Sequence, residues 1–158
     1  MEAPETILVI RLNSMGDVVL TLPALSALRA NFPRAKITFL TRAENGPLLR
    51  GFRDVDDAIL LKRAKGNPLR MPGELFRLLR QVRAGKFGCV VDLHGNGESS
   101  WLTRLTGAPQ RWGIFYHASR RWAYTHSTER SGQLHPAEMH LKLLEQCGLK
   151  TDAVRNDF

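Results

Sequence analysis

The run Ile7-Leu8-Val9-Ile10 constrains this chain more than any other segment. A strand with one wet face alternates apolar and polar side chains, so an unbroken β-branched run needs cover on both faces. Comparable runs recur at Lys36–Thr41 (KITFLT), Ala58–Leu61 and Phe87–Leu93 (FGCVVDL), and Arg111–Ile114 is a short fifth candidate. Helical periodicity fills the intervals. Val18, Leu22, Leu25 and Leu28 recur at three- and four-residue spacing, with Pro23 inside the stretch predicting a kink or a restarted first turn. A short helix is expected around Pro47–Phe52. Leu75, Leu78, Leu79 and Val82 place one apolar stripe on a helix over residues 73–84, leaving Arg77, Arg80 and Arg83 on another part of its surface. A further helix is expected to begin near Glu98–Ser100, and Pro136 opens a last one that Gly148 stops. Phe115–Gln133 shows no clear period and reads as a long loop.

Strands alternating with helices imply right-handed crossovers and a parallel sheet covered on both faces. The fold class is therefore α/β, a Rossmann-like parallel sheet with helices on both faces. At 158 residues the chain is the size of one domain.

Charge is placed unevenly along the chain. Of the net +8, residues 62–86 carry eight basic groups against Glu74 alone, and residues 104–130 carry five arginines against Glu129 alone. Such local fields favour an anionic partner, although a solvated surface accounts for many charge runs. In the second segment the arginines are interleaved with Trp112, Phe115, Tyr116, Trp122 and Tyr124. Guanidinium groups match phosphate oxygens, and aromatic rings suit sugar faces or a membrane interface. Loop packing is the competing reading. No apolar run approaches the ~18–20 residues of a membrane span, and the N-terminus, with Glu2 and Glu5, lacks the basic start of a secretory leader. Cys89 and Cys147 sit among apolar neighbours without metal-type spacing, as expected of buried free thiols in a cytosolic protein.

In open parallel sheets ligands gather beyond the carboxyl ends of the strands. Two turns belong at that edge, Asn13-Ser14-Met15-Gly16-Asp17 after the first strand and His94-Gly95-Asn96-Gly97 after the fourth. The first carries one glycine where a dinucleotide fingerprint needs three, and Asp17 stands where a pyrophosphate would need bare amides. A P-loop is excluded because no Gly-Lys-Ser/Thr follows. What remains is a carboxylate at a helix start, held ionised by the helix dipole and able to take a proton from a bound hydroxyl. Asp17 is thus either a general base or a favourable first-turn residue. His94 is either a packed histidine or a participant. The five histidines are scattered, so no metal site is expected.

The stretch ILVIRLNSMGDVVLTLPALSALRANFPRAKITFLT resembles the opening of the ADP-heptose:lipopolysaccharide heptosyltransferases of glycosyltransferase family 9, with their strand, S-x-G-D turn and helix carrying L-P-A-L. KFGCVVDLHGNGESS is similar to the family's D-x-x-G-x-x-x-S turn, RLTGAPQRWGI to its L-x-G-A-x-x-R-x-G segment, and HPAEMHLKLLEQCGL to the helix closing its first domain. The resemblance implies the N-terminal half of a GT-B fold, with residues 1–149 the acceptor-side domain and residues 150–158 the start of an interdomain linker. The donor-binding second domain is then absent, and the chain alone is expected to be inactive. It further implies an inverting, metal-independent transferase using ADP-heptose as donor, with no cofactor in this chain, working cytoplasmically at the inner face of the inner membrane. Asp17 becomes the expected catalytic base. Asn13, Ser14, Met15, Gly16, His94, Asn96, Gly97, Arg120 and Arg121 become the expected acceptor-binding residues. The expected partner is an acidic, phosphorylated glycolipid, the lipopolysaccharide core precursor, reached through peripheral membrane contact. Nucleic acid is not expected as a partner, and self-association through the surface left bare by the missing domain is. The alternative function is a non-catalytic basic α/β module binding nucleic acid or another polyanion.

Overall fold

The computed structural model describes residues 3–12, 14–62 and 71–152, the side chains of Met71 and Pro72 excepted. Six strands form one parallel sheet: β1 (Thr6–Ile10), β2 (Lys36–Arg42), β3 (Asp57–Leu61), β4 (Cys89–Asp92), β5 (Gln110–Phe115) and β6 (His126–Glu129), in the order β3-β2-β1-β4-β5-β6. The order reverses between β1 and its two neighbours, and the register there sets Ile10 beside both Leu40 and Asp92. The carboxyl ends of β1 and β4 thus lie side by side, which brings the two turns singled out in the sequence together.

Alternate residues of the central strands feed two cores. Ile7, Val9, Phe39, Val91 and Trp112 pack on one face with Leu25 and Leu28 of α2 (Leu22–Asn31) and Met139 and Leu143 of α6 (Pro136–Gln146). Leu8, Ile10, Leu40 and Val90 pack on the other with Leu78 and Val82 of α4 (Met71–Ala84) and Leu102 of α5 (Gly97–Leu105). Both faces are covered, as the apolar runs require. The remaining helices are short, α1 (Met15–Val19) and α3 (Gly46–Leu49). Pro23 acts as a restart: α1 ends at Val19, and α2 begins at Leu22 with the proline in its first turn. Gly148 adopts φ +90° just past α6, the left-handed turn that glycine makes at low cost. Cys89 and Cys147 are free and buried.

Two expectations are corrected. Leu75 does not face the core; it is 52% exposed, with Phe76 beside it also exposed, because the inward stripe of α4 narrows to Leu78, Leu79 and Val82 in its later turns. Phe115–Gln133 is not a plain loop. It contains a 3-10 stretch, Ala118–Ala123, and the edge strand β6. The sequence of β6, His-Ser-Thr-Glu, buries only Thr128, so no hydrophobic pattern marks it; its pairing with β5, from Trp112 opposite His126 to Phe115 opposite Glu129, defines it.

Candidate functional site

Arg11 follows β1 directly and is buried to 7% exposure. Its Nη1 donates to the carbonyl of Leu93 at 2.5 Å, and its Nη2 lies 3.3 Å from Asp17 Oδ1. One cation therefore ties the end of β4 to the first turn. Ser14 Oγ donates to Asp17 Oδ2 at 3.0 Å. The Asp17 side chain keeps about a third of its surface (32%) open to solvent. Burial works against its charge, but the Ser14 hydrogen bond and the Arg11 guanidinium outweigh it, so the carboxyl is held below its ordinary value. Besides the backbone at the helix start, where Ser14 also lowers it, the Ser14 hydroxyl and the Arg11 guanidinium hold the carboxyl down. Asp17 is thus ionised and partly accessible, with one oxygen on a hydroxyl and the other facing a buried cation. Met15 and Gly16 are exposed beside it. Asn13 lies outside the described residues.

The second turn is built on Asp92, which is wholly buried. Its Oδ1 accepts the amides of His94 (2.9 Å) and Gly95 (3.0 Å), and its Oδ2 accepts the Tyr124 hydroxyl at 2.6 Å. Burial drives this carboxyl up despite those donors, and it drives the Tyr124 hydroxyl up as well. Tyr124 Oη is also 2.9 Å from Ser100 Oγ, which donates to the Asn96 carbonyl. Asn96 caps α5: its Oδ1 accepts from the Ser99 amide, and Ser99 Oγ accepts from the Asn96 amide. Gly95, at φ +76°, leaves no room for a side chain, since a Cβ there would stand 2.2 Å from the Ile114 carbonyl oxygen. At Gly97 a Cβ would meet Arg120 Nη1 at 2.1 Å, so the guanidinium rests against the start of α5.

His94 is buried, and its Nδ1 has no hydrogen-bond partner among the described residues. Burial first, then the nearby Arg11 and Arg42 guanidiniums, pull its pKa down to about 4. It is a neutral imidazole at the floor of a groove of about 360 Å³ lined by His94–Gly97, Tyr116, His117 and Arg120. The structure therefore gathers His94, Asn96, Gly97 and Arg120 around one groove. Arg121 points elsewhere, its guanidinium 5.9 Å from the Phe115 ring centroid. Among the described residues no cluster of three or more His, Cys, Asp or Glu could hold a metal.

Sequence reasoning missed Arg11 and the pairing of Asp92, the first residue of the D-x-x-G-x-x-x-S turn, with Tyr124, one of the aromatics of the arginine-rich segment. Arg11 carries no local signal beyond its place at a strand end. Asp92 and Tyr124 lie 32 residues apart and meet only because β4 and β5 are neighbours. Gly113 is the one trace of that meeting: a Cβ there would fall 2.2 Å from Tyr124 Cε1.

No family model matches the chain. Over 138 residues it is 28% identical to lipopolysaccharide heptosyltransferase 3 of Escherichia coli, a match that takes in 85% of this chain and 40% of that protein. The chain thus spans about two fifths of the curated relatives it matches. The crystal structure of a glycosyl transferase family 9 protein from Veillonella parvula superposes with TM-score 0.84 and 30% identity, over 97% of this chain and 44% of that one. E. coli heptosyltransferase WaaC, solved with ADP-2-deoxy-2-fluoro heptose, shares the fold at 21% identity and TM-score 0.78, over 96% of this chain and 51% of its own. In sequence and in fold together, the chain is similar to heptosyltransferases and other proteins of glycosyltransferase family 9.

Proposed function

We propose that this chain is the acceptor-side half of an inverting transferase that moves heptose from ADP-heptose to a phosphorylated glycolipid of the lipopolysaccharide core. The observation that carries the reading is Asp17, an ionised and accessible carboxylate joined through Arg11 to the turn that floors the neighbouring groove. In this reading Asp17 takes the proton of an acceptor hydroxyl as its oxygen attacks the anomeric carbon. The bond from that carbon to ADP breaks on the opposite face, and configuration inverts. Arg11 fixes one carboxylate oxygen and Ser14 orients the other, so the base needs no rearrangement when the hydroxyl arrives. Asn96 and Arg120 present amide and guanidinium to the acceptor's polar and anionic groups, with Gly97 letting the guanidinium lie close over the start of α5. Ser14, Met15 and Gly16 line the cleft beside the base. No step needs a metal. The donor belongs to a second domain of the complete transferase. The setting is the cytoplasmic face of the inner membrane, where the acceptor is anchored.

Transfer is measured with the complete gene product, ADP-heptose and a heptose-deficient lipopolysaccharide acceptor. Asp17→Asn is expected to keep ADP-heptose binding and to lose roughly 10²–10⁴-fold in rate. Near-normal transfer by that variant would remove Asp17 from the mechanism.

A further inference from the structure

Two of the three tryptophans are exposed, Trp101 by 58% and Trp122 by 46%, whereas Trp112 is wholly buried. The exposed pair comes from separate elements, α5 and the 3-10 stretch, yet their ring centroids are 4.8 Å apart at an interplanar angle of 68°. Apolar groups that adhere to each other while facing water form a patch, not scattered exposure. The pair borders a groove of about 480 Å³ that it shares with Ser100, Ser119 and Arg120. Arg120 also lines the groove over the second turn, so the two grooves adjoin.

Along the segment that carries the pair, after Glu98, the charge is of one sign. From Ser99 to Thr128 the chain holds Arg104, Arg111, Arg120 and Arg121 and no Asp or Glu. Arg104 lies three residues after Trp101 on the same helix, hence on the same face, and Arg120 lines the groove that the pair borders. Arg121, next to Trp122 in the chain, is exposed like Arg104, with its guanidinium over the Phe115 ring. Glu98, at the start of α5, is turned toward Arg42 at 3.7 Å. Indole rings favour the boundary between lipid tails and water, and arginines beside them favour anionic headgroups. The tilted edge-to-face rings offer a wedge and not the flat face on which a sugar ring stacks.

We infer that Trp101 and Trp122, flanked by Arg104 and Arg121, form a docking surface for an anionic lipid bilayer. The inference builds on the proposed glycolipid acceptor: a protein seated this way holds the groove over the second turn beside the headgroups. Vesicles that contain no acceptor separate the two questions, because binding to them requires no transfer.

The test is flotation of this chain with vesicles of phosphatidylcholine alone and of an equal mixture with phosphatidylglycerol, read alongside tryptophan emission. The expected result is flotation with the mixed vesicles only, falling as salt is added, with a blue shift from the two exposed indoles. Arg104→Gln with Arg121→Gln should lower the partition coefficient roughly 25-fold, about five-fold for each arginine. Trp101→Ser with Trp122→Ser should abolish the blue shift and lower partition roughly ten-fold or more while leaving the circular dichroism spectrum unchanged. Absence of flotation, equal binding to both vesicle types, or undiminished binding by the tryptophan variant would each overturn the inference. So would tryptophan-dependent self-association by sedimentation, or binding to single-stranded DNA, if either occurs without vesicle binding. A null transfer assay leaves the docking result standing, and a null flotation leaves Asp17 to be judged by transfer.

Discussion

Lowering the pH from about 7.5 to about 5 sets burial against charge at two histidines. His140 on α6 is 1% exposed, with Nδ1 3.3 Å from the Leu20 carbonyl, and burial followed by the Arg11 field pulls its pKa to about 3. His94 is 5% exposed and pulled to about 4. Both folded values lie below the unfolded value near 6.5, so the unfolded chain binds more protons in this window. The stabilisation is whole above about pH 6.5 and is lost as pH falls toward the folded values. At about pH 5 the unfolded histidines are charged and the folded ones neutral. About 1.5 pH units at 1.36 kcal/mol each give about 2 kcal/mol per histidine, about 4 kcal/mol for the pair. Against a typical total of about 5–15 kcal/mol that is a large loss. Asp17 and Asp56, whose carboxyls are held low, lose stabilisation only at more acid pH. Asp92, pushed up, acts in the opposite direction, so the clean quantity is a difference between proteins. Urea unfolding at both pH values is compared for the wild type and for His94→Asn with His140→Asn. The wild type should lose about 4 kcal/mol more than the double variant between them. Equal losses would show that these imidazoles are protonated in the folded state, and the argument from burial would fail.

Other substitutions probe the links between elements. Tyr124→Phe removes the donor to Asp92 Oδ2 from a wholly buried carboxyl. It should cost about 1–3 kcal/mol, seen calorimetrically as a fall in Tm of roughly 3–10 °C. Arg11→Met should raise the pKa of Asp17, measured by carboxyl carbon NMR titration, because the guanidinium helps hold that group low. An unchanged titration would mean that the Ser14 hydroxyl alone sets it.

The sheet was legible in the sequence because its central strands are buried on both faces, and burial of that kind writes itself as unbroken apolar runs. The helix restart at Pro23 and the stop at Gly148 were legible because proline and glycine act through local backbone geometry. β6 was not, since an edge strand with a single buried residue needs no hydrophobic pattern. Asp17 was located by its turn, but one partner that helps hold it ionised, Arg11, looks from sequence like an ordinary residue at a strand end. The Asp92–Tyr124 pair was invisible for a related reason. Its partners sit on β4 and just beyond the 3-10 stretch, and only the strand order brings them together.

The bond from Arg11 to the Leu93 carbonyl makes the two turns a single rigid jaw. A displacement of the loop over β4 would be felt at once by the carboxylate over β1, because the same guanidinium holds both. Neither turn can be remodelled alone without disturbing the other. Diversification of what such a jaw grips is therefore confined to side chains that project from it without clamping it, as Met15 does, or that border it, as His117 and Arg120 do beside the second turn.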